Sequence, residues 1–472
     1  MKNTKIDATQ GPLLRLMIAY AIPLVISTVV QKLFNAVDIA VLGNMADSTA
    51  VAAVGATTSI VNLAVICFTG LGNGIKVVLA RLVGEKNEER VRKTSDTSLL
   101  LALFIGAVLA IICVVFAPDF LRMVKCPSHC FNQAVLYLRV YLAALPAIAV
   151  YNFGSAIITS AGDTQRPLYY IMAGGVLNVV LNVLLCLVLP QKVLAVAIAT
   201  AASQVLGAIL VCARLSRIKG IGHVDLLKMR WDFFATKQVF RYGLPMMFAH
   251  LLFPIADLQM LSSINEYDVA AVAGNSAAIN VESIVSAFVT SISATVVVFI
   301  GQNLGARKYD RAKKSFWYAL WLAAGVGLVL GLVGSLCARQ ILPIFIKNDA
   351  LALEYGVMRA QFMLIYWLVA IDSILERAIQ AYGATVYSSV VSATCVFGWR
   401  IFWVHFIYPH FHTFSNLVHC YMSSWVLMFP MVAIGFAVVV HRYRKSEAQR
   451  NVPKEAAVEQ SDAALREQPQ MK

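Results

Sequence analysis

The segment ARLVGEKNEERVRK at residues 80–93 returns, respelled, as GQNLGARKYDRAKK at 301–314, which sets Gly84 opposite Gly305 at an offset of 221. The same offset carries APDFL at 117–121 onto ARQIL at 338–342, and Gly162 of SAGDTQ onto Gly383 of AYGATV. YAIP at 20–23 meets YGLP at 242–245 with a shift of one residue. A constant offset held through polar loops is the mark of a duplicated unit, because chance likeness between apolar runs would not preserve it.

Working outward from these loops, each copy lies between long apolar runs. Runs of about 20 residues are long enough to cross a bilayer as helices. They fall near 14–38, 50–76, 95–117, 133–160, 168–189 and 193–214, then near 242–264, 270–299, 315–337, 354–381, 387–408 and 416–441. The fold class is therefore all-α integral membrane, with twelve transmembrane helices as two six-helix repeats. An even number of spans per repeat inserts both copies the same way round, so they are parallel repeats about an axis along the membrane normal. The expected organisation is an N-terminal lobe at 1–214, a basic, amphipathic cytoplasmic connection at 215–241, a C-terminal lobe at 242–441 and a disordered cytoplasmic tail at 442–472, where Lys, Glu, Gln and Ala leave no apolar face.

Composition agrees. Of 472 residues, 59% are hydrophobic and 14% charged, where a soluble domain carries roughly a quarter charged. Mean hydropathy is +0.72. The net charge of +14 does not point to nucleic acid, because the basic residues are spread over loops rather than gathered on one polar domain. Arg81, Lys86, Arg90, Arg92 and Lys93 follow the second run. Arg214, Arg217, Lys219, Lys228, Arg230, Lys237 and Arg241 follow the sixth, and Arg307, Lys308, Arg311, Lys313 and Lys314 the eighth. The opposite loops hold only Arg122, Lys125, Lys192, Arg339 and Lys347. By the positive-inside rule both termini face the cytoplasm, as expected for a multi-pass protein of a bacterial plasma (inner) membrane. No cleavage motif follows the polar stretch 1–10, so the first helix is expected to be retained.

Most of the nine cysteines lie in apolar runs, where thiols behave as small hydrophobes. Cys126 and Cys130 fall in a loop, and two unpaired thiols are the expected state.

Ionisable groups inside spans are expensive and mark candidate functional positions. Gln31, Asn35 and Asp38 share one face of the first helix. Asn178 and Asn182 stand one turn apart in the fifth, and Thr200 lies in the sixth. The second half places Asp257 in its first helix, Glu282 in the next, and Asp372 with Glu376 one turn apart in the tenth, a pairing suited to proton coupling. Arg377 beside them offers the competing reading of a structural ion pair. Prolines at 23, 146, 245 and 254 permit bending. No phosphate-binding loop, HExxH or GxSxG pattern is present, so neither ATP-driven pumping nor an enzyme is supported, and no cofactor or metal is expected.

The chain resembles the multidrug and toxic compound extrusion (MATE) family, within the flippase-like exporter superfamily. The likeness covers about residues 11–445 and is carried by AIPLVISTVVQKLFNAVDIAVLG at 21–43, VAAVG at 51–55, GLGNGIKVVLARLVGEKN at 70–87, TSAGDTQRP at 159–167, AVAIATAASQ at 195–204, GWRIFWVHFIYP at 398–409 and SSW at 423–425. It implies secondary active antiport of organic, cationic, drug-like compounds against protons or sodium, by a protein that works as a monomer. It also implies a cation-coupling set in which Asp38 matches the first-helix aspartate, Asn178 the fifth-helix asparagine, Thr200 the sixth-helix threonine and Pro23 the bending proline. Asn182 stands where the family has a second aspartate. The seventh-helix glutamate of another branch is absent near Phe253, leaving Asp257 a turn away, and Asp372 lies by that branch's tenth-helix aspartate. Gln31, Asn35, Asp257, Glu282, Asp372 and Glu376 are thereby candidates for substrate contact or auxiliary coupling. A flippase for lipid-linked sugars is the alternative, and it would need several free interior Arg or Lys.

Overall fold

A computed structural model describes residues 5–466 apart from 46, 219, 221, 347 and 348, with backbone alone at 35, 39, 40, 44, 48, 448 and 450–466. Lys219, Lys347 and the Asn35 side chain thus lie outside the described set. Ten helices are long and apolar enough to cross a membrane. They are Leu13–Gly43, Thr49–Gly84, Glu88–Val115, Gln165–Val188, Lys192–Arg217, Phe233–Ile264, Val269–Gly305, Tyr309–Leu336, Thr385–His410 and Phe414–Glu447.

Two further spans are broken, each for a physical reason. The fourth joins Ser128–Ala143 to Leu145–Ser160 across a 44° bend. There Pro146 lacks the N–H that would continue the helical ladder. The tenth continues from Ala350–Ala360 through a short 3-10 turn to Tyr366–Ala381, two helices each too short to cross alone, and it carries Arg359, Asp372, Glu376 and Arg377. With the ten helices, the bent fourth span and the interrupted tenth make twelve among the described residues, in two sets of six.

Helices overrun the apolar runs at several ends. The seventh span begins at Phe233, capped by the Asp232 carboxylate on the Ala235 amide at 2.7 Å, so the connection from the sixth is shorter than 215–241 and non-helical. The last helix reaches Arg466, correcting the expectation of a tail disordered from 442. Glu, Lys, Gln and Ala are strong helix formers and extend an anchored helix without an apolar face.

The duplication is visible in the backbone. Lys86 and Arg307, related by the 221 offset, both have left-handed φ, 54° and 58°, and Gly162 and Gly383 share φ 93°. The lobes meet symmetrically. A side chain on Gly84 would strike the Gln302 carbonyl, and one on Gly305 the Arg81 carbonyl, while Gly301 faces Ala80. Since 81 + 221 = 302 and 80 + 221 = 301, these contacts interchange under the pseudo-twofold, and the axis passes between the second and eighth helices. Beside it Gly70 packs on the Met247 backbone and Gly74 on Gly243. Small residues allow this backbone approach in a membrane, where lipid competes for every larger apolar contact.

These contacts lie toward the face bearing the Lys- and Arg-rich loops, hereafter the basic face. The segment before the first helix reinforces them. The Ile6 amide donates to the Gly162 carbonyl at 3.0 Å. Gln302 of the other lobe accepts from the Ala8 amide at 3.1 Å and donates to the Ser160 carbonyl at 2.8 Å. Asn303 and Arg311 both donate to the Ala8 carbonyl, Arg311 also to those of Gln10 and Gly11, and Lys308 to that of Thr9. Burial acts to raise the Asp7 carboxyl; the Thr9 hydroxyl and amide, with the Lys308 and Lys86 charges, outweigh it and hold the group below its ordinary value. Residues 6–11 therefore form a clasp across the seam.

Hydrogen bonds to a charged donor contribute about 1.5–3 kcal/mol. Arg311→Ala is expected to release the clasp locally, speeding hydrogen exchange at the Ile6 and Ala8 amides about tenfold or more while core amides of the eighth helix keep their protection. Exchange mass spectrometry on the full chain checks this.

Candidate functional site

In the N-terminal lobe the first, fifth and sixth helices bring four singled-out side chains into one hydrogen-bonded chain. Asn182 Nδ2 donates to Asp38 Oδ1 at 2.6 Å and stands 3.1 Å from Asn178 Oδ1. Asn178 Nδ2 donates to Thr200 Oγ1 at 3.3 Å, and Thr200 donates to the Val196 carbonyl at 2.8 Å. Asn182 is fully buried, and its Oδ1 has no hydrogen-bond partner among the described residues. Asp38 thus faces the bundle rather than the headgroups. The site can exchange a proton or bind a small cation, offering one carboxylate and three neutral side-chain oxygens. Gly175 helps assemble it, since any side chain there would strike the Phe34 ring and part the first and fifth helices.

Two tyrosines missed in the sequence border this cluster. Tyr137 and Tyr141 of the fourth span stack with ring centroids 6.1 Å apart, and both lie within electrostatic reach of Asp38. One turn apart on an apolar helix, they read as packing.

Other expected members stay outside. Gln31 is exposed and makes no hydrogen bond among the described residues. Pro23 is buried in a helix that runs unbroken from Leu13 to Met45; the Ser27 hydroxyl caps its carbonyl at 2.7 Å.

The second-half carboxylates divide into two kinds. Asp257 and Glu282 are paired, to Arg400 at 2.6 Å and Arg359 at 2.7 Å. The Tyr421 ring sits between those guanidiniums, with their carbons 4.5 and 4.3 Å from its centroid. Tyr366 adds its hydroxyl to Glu282 at 3.4 Å. Arg400 stands between two π-helical stretches, Ala393–Gly398 and Trp403–Ile407, a widened helix form found often at functional places.

Asp372 and Glu376 have no such partner. Both Asp372 oxygens are buried without a donor among the described residues. Glu376 accepts from Gln380 at 3.0 Å, and Arg377 donates to the same Gln380 at 3.1 Å. Arg377 reaches Glu376 through a bridging amide rather than as the direct ion pair. In the loop between the third and fourth spans, opposite the basic face, Cys126 and Cys130 are free thiols with sulfurs 3.8 Å apart.

A family model for MatE matches twice, over residues 23–184 and 245–404. The chain belongs to the MatE family. The probable multidrug resistance protein YoeA of Bacillus subtilis is 25% identical over 405 residues, spanning 84% of this chain and 87% of the relative. The FAD transporter of Shewanella oneidensis is 23% identical over 53% of this chain and 56% of its own length. Among solved structures, a MOP superfamily transporter from Pyrococcus furiosus superposes with a TM-score of 0.83 at 20% identity, covering 94% of this chain and 98% of that one. This MatE protein is a multi-pass membrane transporter of the multidrug-efflux family, not an enzyme.

Truncating one partner of a buried ion pair strands the other charge, at a cost of about 3–5 kcal/mol. Arg359→Met is expected to lose stability on that scale, and Glu282→Leu added to it to recover most of the loss. Thermal unfolding of the four proteins of this cycle in detergent measures the coupling.

Proposed function

We propose that this MatE protein exports organic compounds by antiport, with the exchanged cation binding at the Asp38 cluster and access alternating between the two sides of the lobe seam. The observation that carries the reading is the buried hydrogen-bonded chain from Asp38 through Asn182 and Asn178 to Thr200. With an amide where the family has a second aspartate, one carboxylate remains to change charge, which favours a proton over sodium. Protonation removes the charge that Asn182 serves, and the first helix, carrying Pro23, is the element that can respond. Antiport then requires only that proton and cargo stabilise different states.

By the positive-inside rule the basic face is cytoplasmic. The clasped seam then shuts the cytoplasmic side of a protein in a bacterial inner membrane. The resemblance implies that it works as a monomer.

The resemblance implied cationic cargo, with interior carboxylates as candidates to contact it. Asp257 and Glu282 already hold arginine counter-ions, so they offer a cation less than their number suggests. The relative named as an FAD transporter handles an anionic dinucleotide, which supports a wider cargo range. The lipid-linked-sugar reading needs several free interior Arg or Lys; Arg359 and Arg400 are committed and Arg139 is exposed, bonding the Val114 carbonyl, which leaves Arg377, bonded to Gln380, and Lys76.

Proteoliposomes under an imposed pH gradient test the reading. Asp38→Asn is expected to cut proton-driven efflux at least about tenfold, the effect of losing a group that transfers a proton. Efflux that follows a sodium gradient instead would reassign the ion, and coupling unchanged in Asp38→Asn would remove Asp38 from the mechanism.

A further inference from the structure

Lys76 lies within the second helix, in the half of the membrane nearer the basic face. Asn73, Lys76 and Ala80, at i, i+3 and i+7, share one side of that helix. Ala80 meets Gly301 at the pseudo-twofold, and Asn73 Nδ2 stands 3.4 Å from Nε2 of His250 across the seam. Gly70 and Gly74, against the backbone of Met247 and Gly243, fix the height of this stripe. The Lys76 side chain therefore projects beside the seam, between the lobes.

Its surroundings set it apart from the other interior cations. Arg359 and Arg400 each hold a carboxylate within 2.7 Å. Lys76 is half-buried and makes no hydrogen bond or ion pair among the described residues. The charge that reaches it is of its own sign, from Arg377 of the tenth span, which also acts on His250. The nearest carboxylate on that span, Glu376, is engaged by Gln380 and by Arg377, and Asp372 lies a further turn away. A membrane-interior ammonium with no counter-ion is incomplete as it stands.

We propose that Lys76, flanked by His250 and Arg377, receives the carboxylate or phosphate of an organic anion in the space between the lobes. The site draws on both lobes, with Lys76 and Asn73 from the first and His250 and Arg377 from the second. An anion there bridges helices that part when the seam opens, so its affinity differs between the two states, as cargo requires. This assignment rests on the exporter reading and names its cargo class.

Binding to the full chain in detergent, read by fluorescence anisotropy, decides it with two matched probe pairs: FMN against riboflavin, and dansylglycine against dansylglycinamide. Wild type is expected to prefer the anionic member of at least one pair by about tenfold or more, as for a desolvated charge contact, and the responding pair tells phosphate from carboxylate. Lys76→Gln is expected to abolish that preference and Lys76→Arg to keep it. No preference in wild type, or one undiminished in a folded Lys76→Gln protein, overturns the site. Binding that keeps its preference while neither anion crosses proteoliposomes under a pH or sodium gradient would count against the exporter reading and leave the anion site standing.

Discussion

The backbone-to-backbone crossing of the second and eighth helices is the constraint on which the rest depends. Ala80 against Gly301, with Gly84 and Gly305 each seated on the other lobe's carbonyl, leaves no room for side chains. Lipid is as apolar as leucine, so two membrane lobes gain little from greasy contact and must rely on close fit and hydrogen bonds. A joint held this way is specific in the closed arrangement and inexpensive to leave, which suits a molecule that opens and closes.

Each lobe, by contrast, is held internally by contacts that are costly to break. Arginine–carboxylate pairs and the Tyr421 ring tie the seventh, eighth, tenth, eleventh and twelfth spans into one body, and removing the carboxylate of either pair leaves a buried arginine charge. The N-terminal lobe has instead a short run of amides and hydroxyls ending on a single carboxylate. The two halves descend from one pattern, yet the C-terminal lobe pairs Asp257 and Glu282 with arginines and leaves Asp372 unpaired among the described residues, while the N-terminal lobe sets one carboxylate among amides and hydroxyls.

Much of this was legible in the sequence, for reasons that can be stated. Apolar run length fixed the spans because hydrocarbon thickness sets it. The 221 offset fixed the repeat, down to the shared left-handed turns at Lys86 and Arg307. Spacing placed Asn178 under Asn182, and their meeting with Asp38 followed from the resemblance. Helix ends were less legible, since hydropathy reports the membrane core and the helices continue past it at Phe233 and Arg466. Gln31 lies outside the hydrogen-bonded cluster because a face shared on one helix does not say which neighbour covers it. The Arg400–Tyr421–Arg359 line was hidden because three residues on three helices meet only through tertiary packing, one of them between π-helical stretches that no periodicity signals.

The clasp at residues 6–11 joins the earliest part of the chain to groups nearly 300 residues later, Ala8 to Gln302 and Arg311. At ribosomal speeds of about 5–20 residues per second, those first residues wait on the order of tens of seconds for their seats to be synthesised. Closure of this face is therefore among the last events of biogenesis. A nascent transporter spends its assembly with that end unfastened, so any fusion that crowds the amino terminus would be felt at the end of maturation rather than at insertion.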